Sequence, residues 1–410
     1  MTQPGEKQVK MPYGWGRVPF HLERRRRWMD LPFPQAEYEN RIDRLCVQMK
    51  ERRLDGLIVH GDRSDRGPIR YLTNFEDYYK GDSLVVIPLE GETAFITNSV
   101  FHGEPMHSGI HNCWIPDVRP AAHPRTAKAV TIYDHLKDIL GERRLDGGRI
   151  GVSGETVRAH FQAFREAAPR CEFVEAQDLL PQAITIKSPA EVEVLRESAH
   201  ALDAALDAVM RNAREGISEN DLAAGAMEAL FKRGAENGNF PMALSSGPRS
   251  GFKHVPPTDR RLQGGDMVFA DLGGIVKGYA SDASRGRVVG EPDAEQRDFL
   301  ESQIEIVERC MAQMKPGTRI KDLGKIATDV AKERGVEQWL YFRGHGISTF
   351  SHVPPSINPA NEARLEENMV FCFEPMLVRE EFGTACVENM LWVTRDGVEP
   401  LNRCPWRWWD

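Results

Sequence analysis

Glu374 and Glu388 constrain this chain more than any other feature, because each carries a carboxylate inside a run otherwise suited to burial: MVFCFEPML and ACVENMLWV. An unpaired buried carboxylate is costly, so a fold that accepts two of them needs something to hold their charge. Two further acids point the same way. Asp271 closes the run MVFAD and Asp282 lies in GYASDASR, with Gly273, Gly274 and Gly278 between them as turn residues. If the two runs form an antiparallel hairpin turning between Val276 and Lys277, Asp271 stands directly opposite Asp282, with β-carbons about 4.5–5.5 Å apart. Like charges so placed share a proton or a cation, unless one of them turns to solvent. With His345, in the glycine-flanked GHGIS, the set becomes four carboxylates and one imidazole. Oxygen-rich donors with some nitrogen suit manganese, cobalt, iron or zinc, and a bridging carboxylate holds two such ions about 3.5–4 Å apart.

The surrounding pattern predicts two domains. Tyr38, Ile42, Leu45 and Met49 recur at helical spacing after Pro34, and the helix stops at Asp55 and Gly56 before the apolar run Leu57 to Val59. The same five residues, RRLDG, return at Arg143 to Gly147 ahead of Ile150 to Val152, which reads as reused helix-stop chemistry and not as a repeat. SLVVIP and TAFITN flank Leu89 to Glu92 as a hairpin. Residues 34–178 therefore read as a mixed α/β domain and residues 1–33 as an extension. Ser188, Pro189, Ala190 and Glu191 then form a capping box with proline in the first turn, and Val192, Leu195, Ala199, Leu202, Leu206 and Val209 make one apolar stripe that Gly216 ends. Helical segments near 219–233 and 293–314 alternate with β-like runs at 267–272, 280–289, 369–377 and 386–394. This second α/β domain, 179–410, holds every candidate ligand.

Composition excludes several classes of function. The net charge of -8 comes from 61 acids and 53 bases, and the only long block of one sign, Arg24 to Arg27, reads as a solvated helix face, so no nucleic-acid footprint is present. No apolar stretch is long enough to cross a bilayer, and MTQPGEKQVK lacks an apolar core for a leader. Seven cysteines without a CxxC pair fit reduced thiols, and the expected compartment is the cytoplasm.

Read in order, SSGPRSGFKH, GGDMVFADLGG, GYASDASR, GHGIS with a following SHVPP, FEPM and VENMLWVTRDG resemble the creatinase and Xaa-Pro peptidase family, an M24-type metallopeptidase group whose catalytic domain has the fold called pita bread. IRYLTNF and IKSPAEVEVLR add its N-terminal domain and the junction. The resemblance implies an α/β chain of two domains, a creatinase-like N-terminal domain and a C-terminal pita-bread metallohydrolase domain. It implies Asp271, Asp282, His345, Glu374 and Glu388 as ligands of two divalent ions, manganese first among them, with Asp282 and Glu388 bridging. It places His254, in FKHVPP, and His352 in the substrate pocket, and it gives Glu374 the proton of the attacking water that the two ions share. The implied reaction is hydrolysis of a carbon–nitrogen bond in a short peptide, of the Xaa-Pro dipeptidase or aminopeptidase type. Read on their own, His254 and His352 are ordinary surface or capping histidines sooner than pocket residues. The family also implies a homodimer in which the N-terminal domain completes the partner's site. The segment from Arg70 to Asp82, with Tyr71, Phe75, Tyr78 and Tyr79, is the place to look for that, or for simple packing.

Three positions depart from the peptidase pattern. Cys386 stands two residues before Glu388, where typical Xaa-Pro peptidases have arginine, and a thiol cannot make a bidentate contact. Strand alternation would place Cys386 beside Glu388 and Cys372 beside Glu374; as core fillers both would instead take up apolar space. Val353 follows His352, and Tyr341 precedes His345 by four, where several aminopeptidases have histidine. These changes spare the ligands and fall among groups that would grip a peptide. Relatives that act on small non-peptide metabolites are the second reading and non-catalytic binding modules the third. Creatinase lacks this full ligand set, the lyase relative has an aspartate where Gly273 stands, and the binding modules lose ligands that are all present here.

Overall fold

The computed structural model describes residue 26 and residues 29–62, 65–76, 81–97, 100–101, 104–105, 112–121, 130–154 and 158–409. Most of the extension, and Tyr78 and Tyr79, lie outside the described residues. The chain forms two compact units, the first ending at Ala183 and the second beginning at Ile184.

In the first unit, α1 (Gln35–Glu51) feeds β1 (Gly56–Gly61), followed by α2 (Gly67–Thr73), β2 (Ser83–Pro88), β3 (Ala94–Thr97), β4 (Asp117–Pro120), α3 (Ile132–Glu142), β5 (Arg149–Ser153), α4 (Arg158–Ala167) and β6 (Glu172–Glu175). The sheet order is β4-β3-β2-β1-β5-β6. β2 pairs antiparallel with β1 and, as the expected hairpin, with β3, whereas β1 and β5 run parallel. Ile58, Val86, Ile96, Leu136, Ile150 and Phe164 are buried together in its core.

The two RRLDG segments end their helices by the same device. Arg53 and Arg144 adopt left-handed φ of 56° and 59°. Leu54 N donates to Met49 O at 3.0 Å and Arg53 N to Lys50 O at 3.1 Å; Leu145 N donates to Leu140 O at 2.8 Å and Arg144 N to Gly141 O at 3.2 Å. This is the Schellman pairing, and the leucine after each arginine is buried as its apolar cover.

The second unit opens with α5 (Pro189–Asn212), whose cap closes as the sequence predicts: Glu191 N donates to Ser188 Oγ at 3.2 Å and Ser188 N to Glu191 Oε2 at 2.9 Å. Next come α6 (Glu219–Lys232), β7 (Ala243–Ser246), β8 (Met267–Val276), β9 (Tyr279–Val288), α7 (Ala294–Met311) and α8 (Ile320–Glu333). The strands β10 (Leu340–Tyr341), β11 (Gly344–Ile347), β12 (Ser351–Ile357), β13 (Val370–Phe373), β14 (Met376–Arg379), β15 (Gly383–Ala385), β16 (Asn389–Val393) and β17 (Val398–Pro400) complete it. They form sheets β7-β8-β9 (with a short fourth strand, Asn237–Gly238, also paired to β8), β10-β14-β15 and β12-β11-β13-β16-β17. The apolar stripe of α5 packs on β8 and β9 through Leu202, Leu206, Val268 and Ala270. Polar contacts fix its position there: Ser198 Oγ donates to Tyr279 O at 3.0 Å, and Tyr279 Oη to Glu191 Oε1 at 2.8 Å.

Two expectations are corrected here. The β8–β9 turn is Lys277–Gly278, with φ of 51° and 81°, so Asp271 pairs with Ser284 and Asp282 with Gly273. The acids share a face but sit two residues apart along the ladder. A turn centred one residue earlier would force β-branched Val276 to positive φ, whereas Lys-Gly accepts a two-residue turn of this kind. Neither glutamate lies within a strand. Glu374 falls between β13 and β14, and Glu388 between β15 and β16, so each occupies a break where the chain passes between the five-stranded and three-stranded sheets. Pro375, with no N–H for a ladder, helps end the first run.

Left-handed φ costs a non-glycine residue about 1–2 kcal/mol, partly offset by the greater freedom glycine loses on folding. Arg144→Gly and Arg53→Gly are therefore expected to stabilise the protein by up to about 1 kcal/mol each, and Ser188→Ala to destabilise it by about 1 kcal/mol. Urea unfolding midpoints at matched metal content check this, and a fall for both arginine variants would contradict the account of the helix stops.

Candidate metal centre

β8 and β9 bring Asp271 and Asp282 to one face of their hairpin, β11 brings His345, and the two strand breaks bring Glu374 and Glu388. All five residues are buried, none more than 7% exposed. His345 Nε2 lies 3.5 Å from Asp282 Oδ2 and 3.9 Å from Glu374 Oε1. Donor atoms of Asp282, His345, Cys372 and Glu388 all fall within 4.8 Å of one another. Asp271 faces Asp282 and meets His254 Nε2 at 3.1 Å through Oδ2, while its buried Oδ1 has no hydrogen-bond partner among the described residues.

This crowding sets the electrostatics. Burial, then the charges of Asp271 and Glu374, push the Asp282 carboxyl well above the usual range. Glu388 is raised by burial and then by Asp282, Glu374 and Asp271, although Ser284 Oγ donates to its Oε2 at 2.6 Å. Burial also raises Glu374, against the opposing pull of His345 and of Arg343, whose Nε stands 3.7 Å from Oε1. Nδ1 of His345 is 3.1 Å from Gly346 O and 3.3 Å from His352 N, contacts that require opposite roles of the same atom. Donation to Gly346 leaves the Nε2 lone pair facing the acids, the orientation a ligating imidazole needs. Buried acids that repel one another, an unpartnered carboxylate oxygen and an aimed imidazole together make a donor set suited to divalent first-row ions.

The other two sequence-predicted histidines border this group. A 3₁₀ turn, Gly247–Phe252, runs into Lys253 and His254 at φ of 39° and 37°, and this strained pair aims His254 at Asp271. His352, at φ 63°, stacks on His345 with ring centroids 4.0 Å apart. Burial, and then His345 and Arg343, push the His352 imidazole down to about 4.

The thiols part company. Cys372 joins the donor cluster, whereas Cys386 sits in a small apolar cluster with Phe269 and Met376. Residues 386–388 are not a strand, yet Cys386 stays close to the acids: burial and then the charge of Glu388 push its thiol well up. Three contributors escaped the sequence reading. Ser284 was accessible through alternation, being two residues after Asp282 on the same strand face, but Arg343 carried no signal. Arg285 is fully buried and places five donor contacts, to the carbonyls of Ser284, Glu388, Cys404 and Pro405 and to Asn389 Oδ1.

In metal-free protein the raised native pKa values of Asp282, Glu374 and Glu388 mean that the native state binds more protons than the unfolded one, so νU − νN is negative. Stability is then expected to fall as pH rises from about 4, the unfolded carboxylate value, through the raised native values. Glu388→Gln should lessen that fall. Urea midpoints of chelator-treated protein between about pH 5 and 8 test this; the same pH slope in parent and variant would count against mutual repulsion at the site.

Comparison with known proteins adds the family. The pattern of Metallopeptidase family M24 matches residues 193–395, and that of the Creatinase/Prolidase N-terminal domain matches residues 41–183. A Xaa-Pro dipeptidase of Pyrococcus furiosus is 30% identical over 272 residues, 66% of this chain and 77% of the relative. One from Lactobacillus helveticus is 30% identical over 248 residues, 60% of this chain and 67% of the relative. The crystal structure of the prolidase from Pyrococcus horikoshii superposes with a TM-score of 0.77 at 22% identity, covering 89% of this chain and 99% of its own. A Xaa-Pro dipeptidase from Bacillus anthracis gives 0.77 at 24% identity, with 90% and 99% covered. At those identities the structural likeness speaks to the fold, two α/β domains of which the second is the pita bread. By sequence pattern and by these relatives, the chain belongs to metallopeptidase family M24 and carries a creatinase/prolidase-type domain ahead of its M24 domain.

Proposed function

We propose that this chain hydrolyses the amide bond of short Xaa-Pro peptides, dipeptides first, with Asp271, Asp282, His345, Glu374 and Glu388 holding two divalent ions. The observation that carries this reading is the convergence of four buried acids on one imidazole, with Asp271 Oδ1 left without a hydrogen-bond partner among the described residues. The Xaa-Pro dipeptidases among its relatives support the substrate class.

Ions held there supply Lewis acidity, which polarises a scissile carbonyl and lowers the pKa of water. The residues do the rest. By the family resemblance, Asp282 and Glu388 would be the ligands shared between the two ions, and donor atoms of both lie within 4.8 Å of one another. Glu374, at the edge of the group beside Arg343, accepts the proton of the attacking water. His254 and His352 offer N–H groups to the developing oxyanion or the departing nitrogen. His352 does so as a neutral ring near pH 7, because its pKa is held at about 4.

Manganese is the proposed metal, with cobalt, iron and zinc tolerated by the same donors. Burial and the nearby acids push the Cys372 thiol well up, so it stays protonated and leaves an oxygen-rich, hard-metal set. All seven cysteines are free, which supports a cytoplasmic location, and no helix among the described residues is long and apolar enough to cross a membrane. A homodimer is proposed on the family resemblance alone. One observation favours the second reading, a small non-peptide substrate: Cys386 is enclosed by Phe269 and Met376 and offers a substrate no guanidinium.

Manganese-loaded protein should hydrolyse a panel of Xaa-Pro dipeptides. Glu374→Gln should lower kcat by about 10²–10⁴-fold with KM little changed. Absence of turnover in protein shown to hold two ions would move the assignment to a non-peptide metabolite.

A further inference from the structure

Outside the centre described above, a second group of metal-ligating side chains converges in the first unit. His60 Nε2 lies 3.0 Å from Asp82 Oδ1, and His160 Nε2 lies 3.3 Å from the same oxygen. The three donor atoms all fall within 4.8 Å of one another. His60 is 4% exposed, and the side chains of His160 and Asp82 are 11% and 35% exposed. The group is thus buried on two sides and open to solvent at the carboxylate.

The topology explains the convergence. β1 and β5 are parallel neighbours, and His60 is the penultimate residue of β1. Asp82 immediately precedes β2, whose first residue, Ser83, pairs with Gly61, so Asp82 belongs to the same edge of the sheet. His160 lies in the first turn of α4, the helix that follows β5. All three therefore gather at the carboxyl edge of the parallel strands, where open α/β sheets place their ligands.

The details fit a cation. Zinc bound by imidazole nitrogen and carboxylate oxygen at about 2.0–2.2 Å in a tetrahedron puts neighbouring donor atoms roughly 3.3 Å apart. The Asp82–His60 and Asp82–His160 separations of 3.0 and 3.3 Å are close to that edge length. Tyr133 Oη holds His160 Nδ1 at 3.2 Å from the far side of the ring, the outer contact that orients a ligating histidine. Among the described residues His60 Nδ1 has no hydrogen-bond partner, and the polar contact of that buried ring is made through Nε2 at the cluster. Hydrogen bonds from His160 and His60 hold the Asp82 carboxyl well below its usual range, keeping it an anion.

We propose that His60, Asp82 and His160 form a divalent-cation site of the zinc class, with the fourth position taken by water, that ties β1, the start of β2 and α4 together. Its chemistry is distinct from that of the acidic centre: two nitrogens and one oxygen suit zinc, where four carboxylates suit harder ions. The competing arrangement is a metal-free clasp in which both imidazoles donate to Asp82.

The test uses the full chain carrying Asp282→Asn and Glu388→Gln, which weakens the acidic centre, dialysed against zinc chloride and assayed for bound zinc by elemental analysis. One equivalent more is expected in this background than after adding Asp82→Asn or His160→Gln. Cobalt(II) in the same background should give tetrahedral d–d absorption that Asp82→Asn removes. Asp82→Asn keeps the side chain's shape at a partly exposed position, so it remains informative if His160→Gln fails to fold. Equal zinc content with and without Asp82→Asn overturns the site and leaves the hydrogen-bonded clasp. Because the reading is a difference of one equivalent, it stands or falls independently of how many ions the acidic centre holds.

Discussion

Asp271, Asp282, Glu374 and Glu388 occupy a volume with little access for water, and each ionised carboxylate there disfavours the next. Left to relax, such a group would spread apart or protonate. Much of the second unit can be understood as the framework that prevents spreading. A ten-residue hairpin strand carries each aspartate, α5 is packed and hydrogen-bonded across that hairpin, and the glutamates are fixed where two sheets exchange strands. Ser284 neutralises none of this charge and only orients Glu388. The repulsion is therefore preserved in the fold, to be relieved by cations, and that makes the centre a binding site instead of a core.

The sequence revealed the participants more readily than their arrangement. Acids within apolar runs, a capping box and glycine-marked turns are local signals, and each reports its own few residues faithfully. The Asp271–Asp282 offset was missed because register depends on which two residues form the turn, and Lys277 accepts a positive φ that the apolar pattern does not reveal. The strand breaks at Glu374 and Glu388 were missed for a related reason. A run of buried residues looks the same whether it continues in one sheet or crosses to another, and only Pro375 hinted at the difference. Cys372 was open to alternation within its own run, whereas Arg343 reaches Glu374 through packing between separate segments.

In the first unit the reuse of RRLDG is more than a compositional echo. Both copies place an arginine where glycine is usual and cover the turn with a buried leucine. The strands that follow, β1 and β5, are parallel neighbours. Two identical stops thus deliver two adjacent strands into one sheet with a three-residue stagger, since Gly56, the last residue of the first copy, pairs with Ile150, three beyond Gly147 of the second. The cluster at the opposite ends of those strands draws on both, with His60 in β1 and His160 in the helix that follows β5.

Arg285 ties distant parts of the second unit together. It belongs to the hairpin that carries Asp282, yet three of its contacts are made to Glu388 O, Cys404 O and Pro405 O, more than a hundred residues later in the chain. Without those carbonyls, a guanidinium in the middle of the hairpin has its hydrogen-bonding capacity unmet and favours water over the interior. Burial of Arg285 in the hairpin is therefore tied to the docking of the segment around 404 and 405. The same guanidinium donates to Glu388 O, so the packing that buries the hairpin of Asp271 and Asp282 is the packing that seats Glu388 against it.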